Sequence, residues 1–356
     1  MKVLIILVFI ASLISCQSSV QNQDKFYSTR DYWPTDKWKV SSPSEQGLSN
    51  DTLKKMYNLF GQAGTIVIVR NGYIVSENYP APFDTNYLHH IHSCTKSITS
   101  IIAGIAISAG IMNIDSSVLS YFPDYQFKNI TTQKQAIKIK HILSMSDGLD
   151  WKDGIGGKDL LAMLDQPDWT QFYLDKPMTF QPGSHFNYSC GASQLLLTII
   201  QRSQGIKAEE YAKIKIFNPL GIKNYKWDYE HSFKGVTPGA WGLYLTVRDM
   251  AKLGYLYLNN GTWDSAQIVS KEWVKESTSE QISRGVNNDA YGYQWWILNG
   301  YPVYAYTARG WYGNHYAFIT IVPSYDLVVA IAGDIPNSQA SDIIKKYVLK
   351  SIMKEK

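Results

Sequence analysis

The sequence carries little net charge and has no cluster of basic residues. The 34 Lys and Arg against 30 Asp and Glu give a formal net charge of +4 over 356 residues. Basic and aromatic residues are not interleaved, so nothing favours a nucleic-acid partner. There is no internal repeat, no low-complexity tract and, beyond the N-terminus, no apolar run long enough to cross a bilayer. An apolar content of 45% instead predicts one large globular unit or two interleaved lobes with a substantial core.

The first 15 residues have the layout of a secretory signal. Lys2 gives a positive start, and the apolar run over 3–13 is too short to span a membrane. Residues 13–16 resemble a bacterial lipobox, in which cleavage precedes the cysteine and Cys16 carries lipid; the alternative is an ordinary secretory signal with an accidental cysteine. Acyl chains on Cys16 would anchor the protein, with 16–40 as a polar tether. We therefore expect a lipid-anchored protein of the cell envelope, facing the periplasm or the exterior.

Strands are predicted at both ends of the remaining chain and helices in its middle. Residues 65–76 form a hairpin signal in which Asn71-Gly72 is a type I′ turn. We also predict strands over 316–322 and 327–332 as a second hairpin, further strands over 291–298 and 303–306, and helices over 51–60 and 340–353. The result is an α+β fold in one domain, 41–356, with an antiparallel sheet lobe (about 41–96 and 285–356) and a mainly helical lobe (about 97–284). A cleft between the lobes is the expected site.

The tetrad Ser93-Cys94-Thr95-Lys96 opens an apolar helix that continues over 97–107 without a charged residue. Ser93 and Lys96, three residues apart, share one helix face. A serine needs an adjacent base to become nucleophilic, and a lysine serves as that base only when uncharged. Burial and the positive end of a helix dipole both favour an uncharged amine. The alternative is a capped core helix with an ordinary lysine.

A second candidate lies where the loop 181–191 leads into a helix predicted over 192–201. Tyr188 at this junction could move a proton between the serine and a leaving group. Taken alone, Tyr188 is better explained as a packing residue, as most tyrosines are. Beside the Ser93 tetrad, the catalytic interpretation is favoured.

Together these residues resemble the serine β-lactamase and penicillin-binding-protein superfamily, most closely the class C β-lactamase-related branch. That branch also holds esterases, D-amino-acid peptidases and 6-aminohexanoate-dimer hydrolases. The tetrad matches the S-x-x-K motif, and Tyr188-Ser189-Cys190 occupies the Y-x-N position. The resemblance spans about 41–353, including typical stretches at 141–149, 241–251 and 291–296.

The resemblance implies a β-lactamase/transpeptidase-like fold and a role for each motif residue. Ser93 would be the nucleophile and Lys96 the base that activates it. Tyr188 would protonate the leaving group and later help a water release the acyl-enzyme. The N–H groups of Ser93 and Trp311 would hold the oxyanion. No cofactor and no metal are implied.

The third family motif, usually K-T-G or H-x-G, is altered. We align Ala308-Arg309-Gly310 with it, so the cation that grips a β-lactam carboxylate is missing from its usual place. Arg309 could supply one or be structural, but on a strand it would point away from the Ala308 face. Cys190 also replaces the asparagine of the family. Both changes favour an ester or small amide substrate with aromatic walls, which we expect from three side chains, Trp311, Tyr312 and Trp151.

Three other features have competing interpretations. His89-His90-Ile91-His92 suggests a metal cluster, but neighbours on an extended strand point to opposite faces, so we expect no metal. Cys94 and Cys190 could pair, yet Cys94 is turned about 100° from Ser93 on its helix, which favours two buried thiols. Asp147 is interpreted as a loop or cap residue.

The sequence therefore predicts an envelope-anchored serine hydrolase that works through an acyl-enzyme on a small-molecule ester or amide. Within that class, an esterase or amidase ranks above a β-lactamase, and a D-alanyl peptidase follows. The alternative from a different class is a catalytically weak lipoprotein that binds peptidoglycan fragments or a partner protein. The altered third motif favours that alternative, and the intact Ser93, Lys96 and Tyr188 oppose it.

Overall fold

The computed structural model describes residues 30–153, 157–229, 235–285 and 289–353. The predicted secretory signal, the lipidation site Cys16 and most of the tether lie outside these residues. Within them, no helix is both long and apolar enough to cross a membrane.

An eight-stranded antiparallel sheet is the centre of the fold, with the strand order β2-β1-β13-β12-β11-β10-β9-β8. Its strands are β1 (Gly64–Arg70), β2 (Tyr73–Asn78), β8 (Ile282–Ser283), β9 (Ala290–Tyr291), β10 (Trp296–Ile297), β11 (Tyr306–Tyr312), β12 (His315–Val322) and β13 (Leu327–Gly333). Two smaller sheets are β3-β5-β4 and β6-β7. Their strands are β3 (His89–His90), β4 (Tyr225–Trp227), β5 (Leu243–Leu245), β6 (Thr262–Trp263) and β7 (Ala266–Gln267).

Both predicted hairpins are present. In the β1–β2 turn, Asn71 and Gly72 have positive φ angles of 52° and 86°, as a type I′ turn requires. Strands β12 and β13 pair antiparallel around a short 3-10 turn, Pro323–Tyr325. Strand β1, from the N-terminal part of the chain, pairs over its whole length with β13, from the C-terminal part. This pairing confirms the prediction that both parts of the chain build one sheet.

The two remaining strand predictions need correction. Residues 291–298 form a tight hairpin of β9 and β10, not one strand, because Gln294 takes a left-handed conformation with φ 64°. The amide of Gln294 is buried and bonded to the carbonyl of Leu143 and the hydroxyl of Ser193, so tertiary contacts hold the bend. Predicted strand 303–306 begins only at Tyr306.

Helices cover both faces of the sheet and fill the middle of the chain, as predicted. The α-helices are α1 (Asn50–Phe60), α2 (Cys94–Ser108), α3 (Thr132–Gln135), α4 (Ile139–Leu143), α5 (Lys158–Leu164), α6 (Trp169–Leu174), α7 (Cys190–Gln204), α8 (Ala208–Ala212), α9 (Val247–Leu258), α10 (Lys271–Ser277), α11 (Asn337–Asp342) and α12 (Leu349–Ser351). A 3-10 helix spans Val118–Tyr121, and π-helical segments follow α8 (Lys213–Phe217) and link α11 to α12 (Ile343–Val348).

The sheet separates two hydrophobic cores. Along β1, Val67 and Val69 belong to the larger core with α2, α7 and α9, whereas Ile66 and Ile68 belong to the smaller core with α1 and the C-terminal helices. This alternation follows from the two-residue period of a strand. Helix α2 packs between the sheet and α7, so its N-terminus is held where the sheet meets the helical region.

Candidate active site

Ser93 stands at the N-terminus of α2, at the point where the buried helix meets the surface. It occupies the N-cap position and remains partly exposed, whereas helix residues from Cys94 to Ala106 are all buried. The preceding residue, His92, has a left-handed backbone with φ 48°. Such a conformation in a residue other than glycine is uncommon and concentrates at functional sites.

Lys96 lies one turn along α2 and is 1% exposed. Its Nζ is 3.0 Å from Ser93 Oγ, 3.0 Å from the carbonyl oxygen of Ala240 and 3.3 Å from Cys190 Sγ. The sequence prediction that Ser93 and Lys96 touch therefore agrees with this geometry. An uncharged amine at this position is within reach of the serine proton.

Tyr188 completes the group, just before α7. Its ring stacks on Trp296 at 5.8 Å, and Lys96 Nζ lies 4.9 Å from the ring centre. The Tyr188 hydroxyl is shielded from solvent and makes no hydrogen bond of normal geometry with any residue that the structure describes. Burial raises the Tyr188 pKa well above its ordinary value, and the nearby Ser93 hydroxyl only partly opposes that rise. Tyr188 is therefore a protonated phenol, and the polar group that acts on it to lower its pKa is the Ser93 hydroxyl.

Both described cysteines are buried and free, which confirms the prediction of two thiols. Cys94 Sγ is directed at the carbonyl oxygen of Ala317, at 3.2 Å, on the sheet side of α2. Cys190 instead contacts Lys96, and burial raises the pKa of its thiol to about 12. The asparagine position of the family motif is therefore filled by a neutral thiol.

The N-terminus of α7 is held by two carboxylates. Asp153, which no sequence pattern had marked, accepts a hydrogen bond from the Cys190 N–H at 2.8 Å. Asp147 is a loop residue, as interpreted, and accepts from the Leu149 N–H at 2.9 Å. It also accepts from the hydroxyl of Tyr173, which contacts the N-cap residue Ser189. Burial raises the pKa of Asp147 to about 6.

Gly310 on β11 packs directly against the backbone that surrounds Ser93. A Cβ atom at Gly310 would lie 2.6 Å from the Ser93 nitrogen and 2.7 Å from the Cys94 nitrogen, closer than real Cβ atoms come. It would lie closer still to the carbonyl oxygen of Ile91. Only glycine permits this approach, which brings the next residue, Trp311, beside the nucleophile.

Arg309 is not brought to Ser93. Ala308 belongs to the larger core on the α2 side, and the cross-strand partner of Arg309, Phe318, belongs to the smaller core on the opposite face. The Arg309 guanidinium lies 3.6 Å from the carboxylate of Asp289 and 5.0 Å from the Trp296 ring centre. The strand register agrees with the prediction that Arg309 points away from the Ala308 face, although the Trp296 ring that it contacts stacks on Tyr188.

The three predicted aromatic walls differ. Tyr312 is 81% exposed and its ring centre lies 6.2 Å from that of His92, so it can contact a ligand beside Ser93. Trp311 is 46% exposed, but its cross-strand partner Tyr316 belongs to the smaller core, so only the Trp311 backbone faces Ser93 and its prediction as a wall is wrong. Trp151 is 3% exposed and packs on Phe172 and Tyr173. Its prediction as a wall is wrong, because it serves the core between the loop after Asp147 and helix α6.

The structure also gathers residues that the sequence had left apart. The carbonyl oxygen of Ala240 contacts Lys96, and the carboxylate of Asp153 contacts the N-terminus of α7. The carbonyl oxygen of Gln294 contacts helix α2. For Ala240, the sequence offered one signal of a place in the site: it directly precedes the typical stretch 241–251. A fourth histidine, His315 on β12, joins His89, His90 and His92. Among the described residues, no group of three or more potential ligands is arranged to hold a metal ion.

Comparisons with known proteins place the chain in a family. A protein-family model described as Beta-lactamase matches residues 57–352. The chain is 27% identical over 254 residues to Beta-lactamase-like protein 4 of Dictyostelium discoideum, covering 59% of this chain and 43% of that protein. It is 23% identical over 191 residues to esterase EstB of Burkholderia gladioli, covering 51% and 48%. The chain thus spans about half the length of these curated relatives.

A solved structure shows the fold over more of the chain. The octameric penicillin-binding protein homologue of Pyrococcus abyssi superposes with a TM-score of 0.69 at 21% sequence identity, covering 87% of this chain and 78% of that one. The likeness confirms the predicted β-lactamase/transpeptidase-like fold.

Proposed function

The chain belongs to the beta-lactamase family, and we propose that it is a serine hydrolase that cleaves an ester or a small amide through an acyl-enzyme on Ser93. The observation that carries this proposal is the contact of Lys96 Nζ with Ser93 Oγ at 3.0 Å, beside a Tyr188 hydroxyl that has no other partner among the described residues. These are the nucleophile, base and proton donor that acyl transfer needs.

In the first half of the reaction, the Lys96 amine takes the proton of Ser93 as the serine oxygen attacks the carbonyl carbon. The N–H groups of Ser93 and Trp311 stabilise the oxyanion, since Gly310 brings their two segments together. Collapse of the tetrahedral intermediate breaks the bond to the leaving group, which takes a proton from Tyr188. In the second half, the Tyr188 phenolate accepts a proton from a water that attacks the acyl-enzyme. Protonated Lys96 returns its proton to the Ser93 oxygen as the acyl bond breaks, which releases the acid and regenerates all three groups.

The substrate preference for an ester or small amide is supported by what lies around Ser93. Ala308 supplies no cation on the α2 side of β11, and Arg309 is engaged with Asp289 on the other side. A neutral thiol, Cys190, stands where a β-lactamase would offer an amide to its substrate. Tyr312 offers exposed aromatic surface beside His92 instead. A relative described as an esterase is consistent with this preference.

We also propose that the protein works on the cell envelope, held by lipid on Cys16. The support is the sequence alone: a short apolar run over 3–13 that ends at a cysteine. Expression in a bacterium with a labelled fatty acid should place label on the wild type and leave Cys16→Ser unlabelled. Equal labelling of both forms would refute the anchor without affecting the catalytic proposal.

The proposed activity is tested by offering wild-type protein five reagents in parallel: two esters, nitrocefin, a fluorophosphonate and a fluorescent penicillin. We expect turnover of p-nitrophenyl acetate and butyrate, a fluorophosphonate adduct located on Ser93 by mass spectrometry, and little or no hydrolysis of nitrocefin. Efficient nitrocefin hydrolysis would overturn the ester preference and favour a β-lactamase. Labelling by a fluorescent penicillin without nitrocefin turnover would favour a D-alanyl peptidase. A protein that takes neither label and hydrolyses neither ester would be the binding lipoprotein.

A further inference from the structure

Four histidines that the proposed mechanism does not use lie together next to Ser93. His315 is central: its Nε2 is 3.4 Å from His89 Nδ1, and its Nδ1 is 3.2 Å from His92 Nε2. His90 packs edge-on against His92, with ring centres 4.1 Å apart. His89 and His92 are buried, and His90 and His315 are partly buried. Two nitrogens at these distances share a hydrogen when one ring donates and the other accepts.

The histidine chain connects the two backbone segments that would hold the oxyanion. His92 directly precedes Ser93 and stands in its left-handed conformation. In the second segment, His315 is the cross-strand partner of Tyr312 at the closed end of the β11–β12 hairpin. Tyr312 directly follows Trp311. Gly310 already touches the Ser93 backbone on the α2 side of this hairpin. The His92–His315 contact therefore joins the same two segments at a second point.

A third segment is linked through His90. Its Nε2 accepts a hydrogen bond from the Gly242 N–H at 3.1 Å, and its ring stacks on Tyr244 at 4.5 Å. Gly242 lies two residues beyond Ala240, whose carbonyl oxygen contacts Lys96. The cluster thus touches the neighbours of the nucleophile, of the oxyanion strand and of the catalytic lysine.

Burial keeps these rings uncharged near neutral pH. It lowers the pKa of His89 and of His90 to about 4 and that of His92 to about 3, and it also lowers the pKa of His315. The charged groups that face the cluster act on two of the rings. Asp334 raises the pKa of His315 slightly against the burial effect, and at His90 the opposite effects of Asp228 and Lys226 are both smaller than that of burial. The aromatic rings of Phe83, Tyr87 and Tyr312 cover His89 and His92.

We propose that His315 and His92 are positioning residues, which hold the Ser93 and Trp311 N–H groups at the spacing that the oxyanion requires. This role rests on the proposed function for its catalytic consequence. The ordering of the two segments by the histidines does not rest on it, because the N–H···N link between them exists whether or not a substrate is turned over. A chain of neutral imidazoles suits the task, since each ring donates from one nitrogen and accepts at the other.

The test compares His315→Leu, which can neither donate nor accept, with His315→Gln, which can do both. His185 supplies the matched control, because it is exposed and its described ring contact, a stack on Phe180, lies outside the four-histidine cluster. For ester hydrolysis we expect kcat to fall about 100-fold in His315→Leu with KM nearly unchanged, since a shift of about 1 Å at a reacting centre costs that much. His315→Gln should recover most of the loss, and His185→Leu should match the wild type.

Two further readouts separate positioning from general stability. First, amide hydrogen exchange of peptides covering 89–96 and 308–316 should be faster in His315→Leu than in His315→Gln, with the rest of the protein unchanged. Second, the kcat ratio of wild type to His315→Leu should shrink as the pH falls from 7 towards 4. When both rings of a link are protonated, each donates from both nitrogens and neither accepts, so acid breaks in the wild type the link that the variant already lacks.

The outcomes distinguish this inference from the proposed function. If the wild type hydrolyses no ester through Ser93, the proposed function fails, and the exchange data still decide whether His315 orders the two segments. If the wild type is active and His315→Leu keeps both its kcat and its exchange rates, the positioning role is refuted. A kcat ratio that stays constant with pH while all peptides exchange faster would show a merely structural histidine and would also refute it.

Discussion

Ser93→Ala should lower kcat/KM for p-nitrophenyl butyrate by about 10³- to 10⁶-fold, the range found when a catalytic serine is removed. The loss arises because no other described group lies where a nucleophile could be activated by Lys96 except the Cys190 thiol, whose pKa burial raises to about 12. The thermal midpoint should change little. Ser93 is partly exposed, and its side chain makes no capping hydrogen bond to the helix.

The matched control for this variant lies on the same helix. Ser108 ends α2 and is exposed, so Ser108→Ala should retain both stability and turnover. Ester hydrolysis at the wild-type rate in folded Ser93→Ala protein would show that another group carries the reaction, and the acyl-enzyme mechanism would have to be abandoned.

Lys96→Met should lower kcat/KM by about 10²- to 10⁴-fold, the contribution of a positioned general base. Methionine keeps most of the lysine volume in a site that is 1% exposed, so the change removes the amine with little cavity formation. The losses of kcat/KM from Lys96→Met and Ser93→Ala should not add. The double variant should be scarcely slower than either single variant, because the two groups act as a unit.

A second buried lysine separates the loss of chemistry from the loss of a buried amine. Lys134 is fully buried, and its Nζ donates to the carbonyl oxygens of Lys128 and Leu174 at 3.0 and 2.7 Å. Lys134→Met should therefore lower the free energy of unfolding by about 1–3 kcal/mol for each orphaned carbonyl, while folded protein keeps its kcat/KM. Equal losses of turnover in both variants would mean that Lys96 acts through stability and not as a base.

Local rules were sufficient for the elements and for the central pair of the site. The Asn71-Gly72 turn, the two hairpins and the helix that follows Ser93 depend on neighbours in sequence, so composition and spacing predicted them. The contact of Ser93 with Lys96 is local in the same sense, because one helical turn brings them together. The position of Arg309 relative to Ala308 followed from the two-residue period of a strand.

The errors and omissions concern contacts between residues far apart in the chain. Gln294 bends residues 291–298 into a hairpin because Leu143 and Ser193 bond its amide, and Trp151 is buried because helix α6 packs over it. Neither partner can be inferred from the neighbouring sequence. The same is true of Asp153, which reaches the α7 N-terminus across a separation of 37 residues.

The sequence by itself determined the family, the α+β class and the identity of the candidate nucleophile, base and proton donor, because those depend on residue types at short spacing. Only the tertiary structure decided their surroundings. It placed the Cys190 thiol and the Ala240 carbonyl on Lys96, pressed Gly310 against the Ser93 backbone and joined His315 to His92 across 223 residues. Packing of the sheet on α2 determines these contacts, and packing depends on the whole folded chain, which no local pattern encodes.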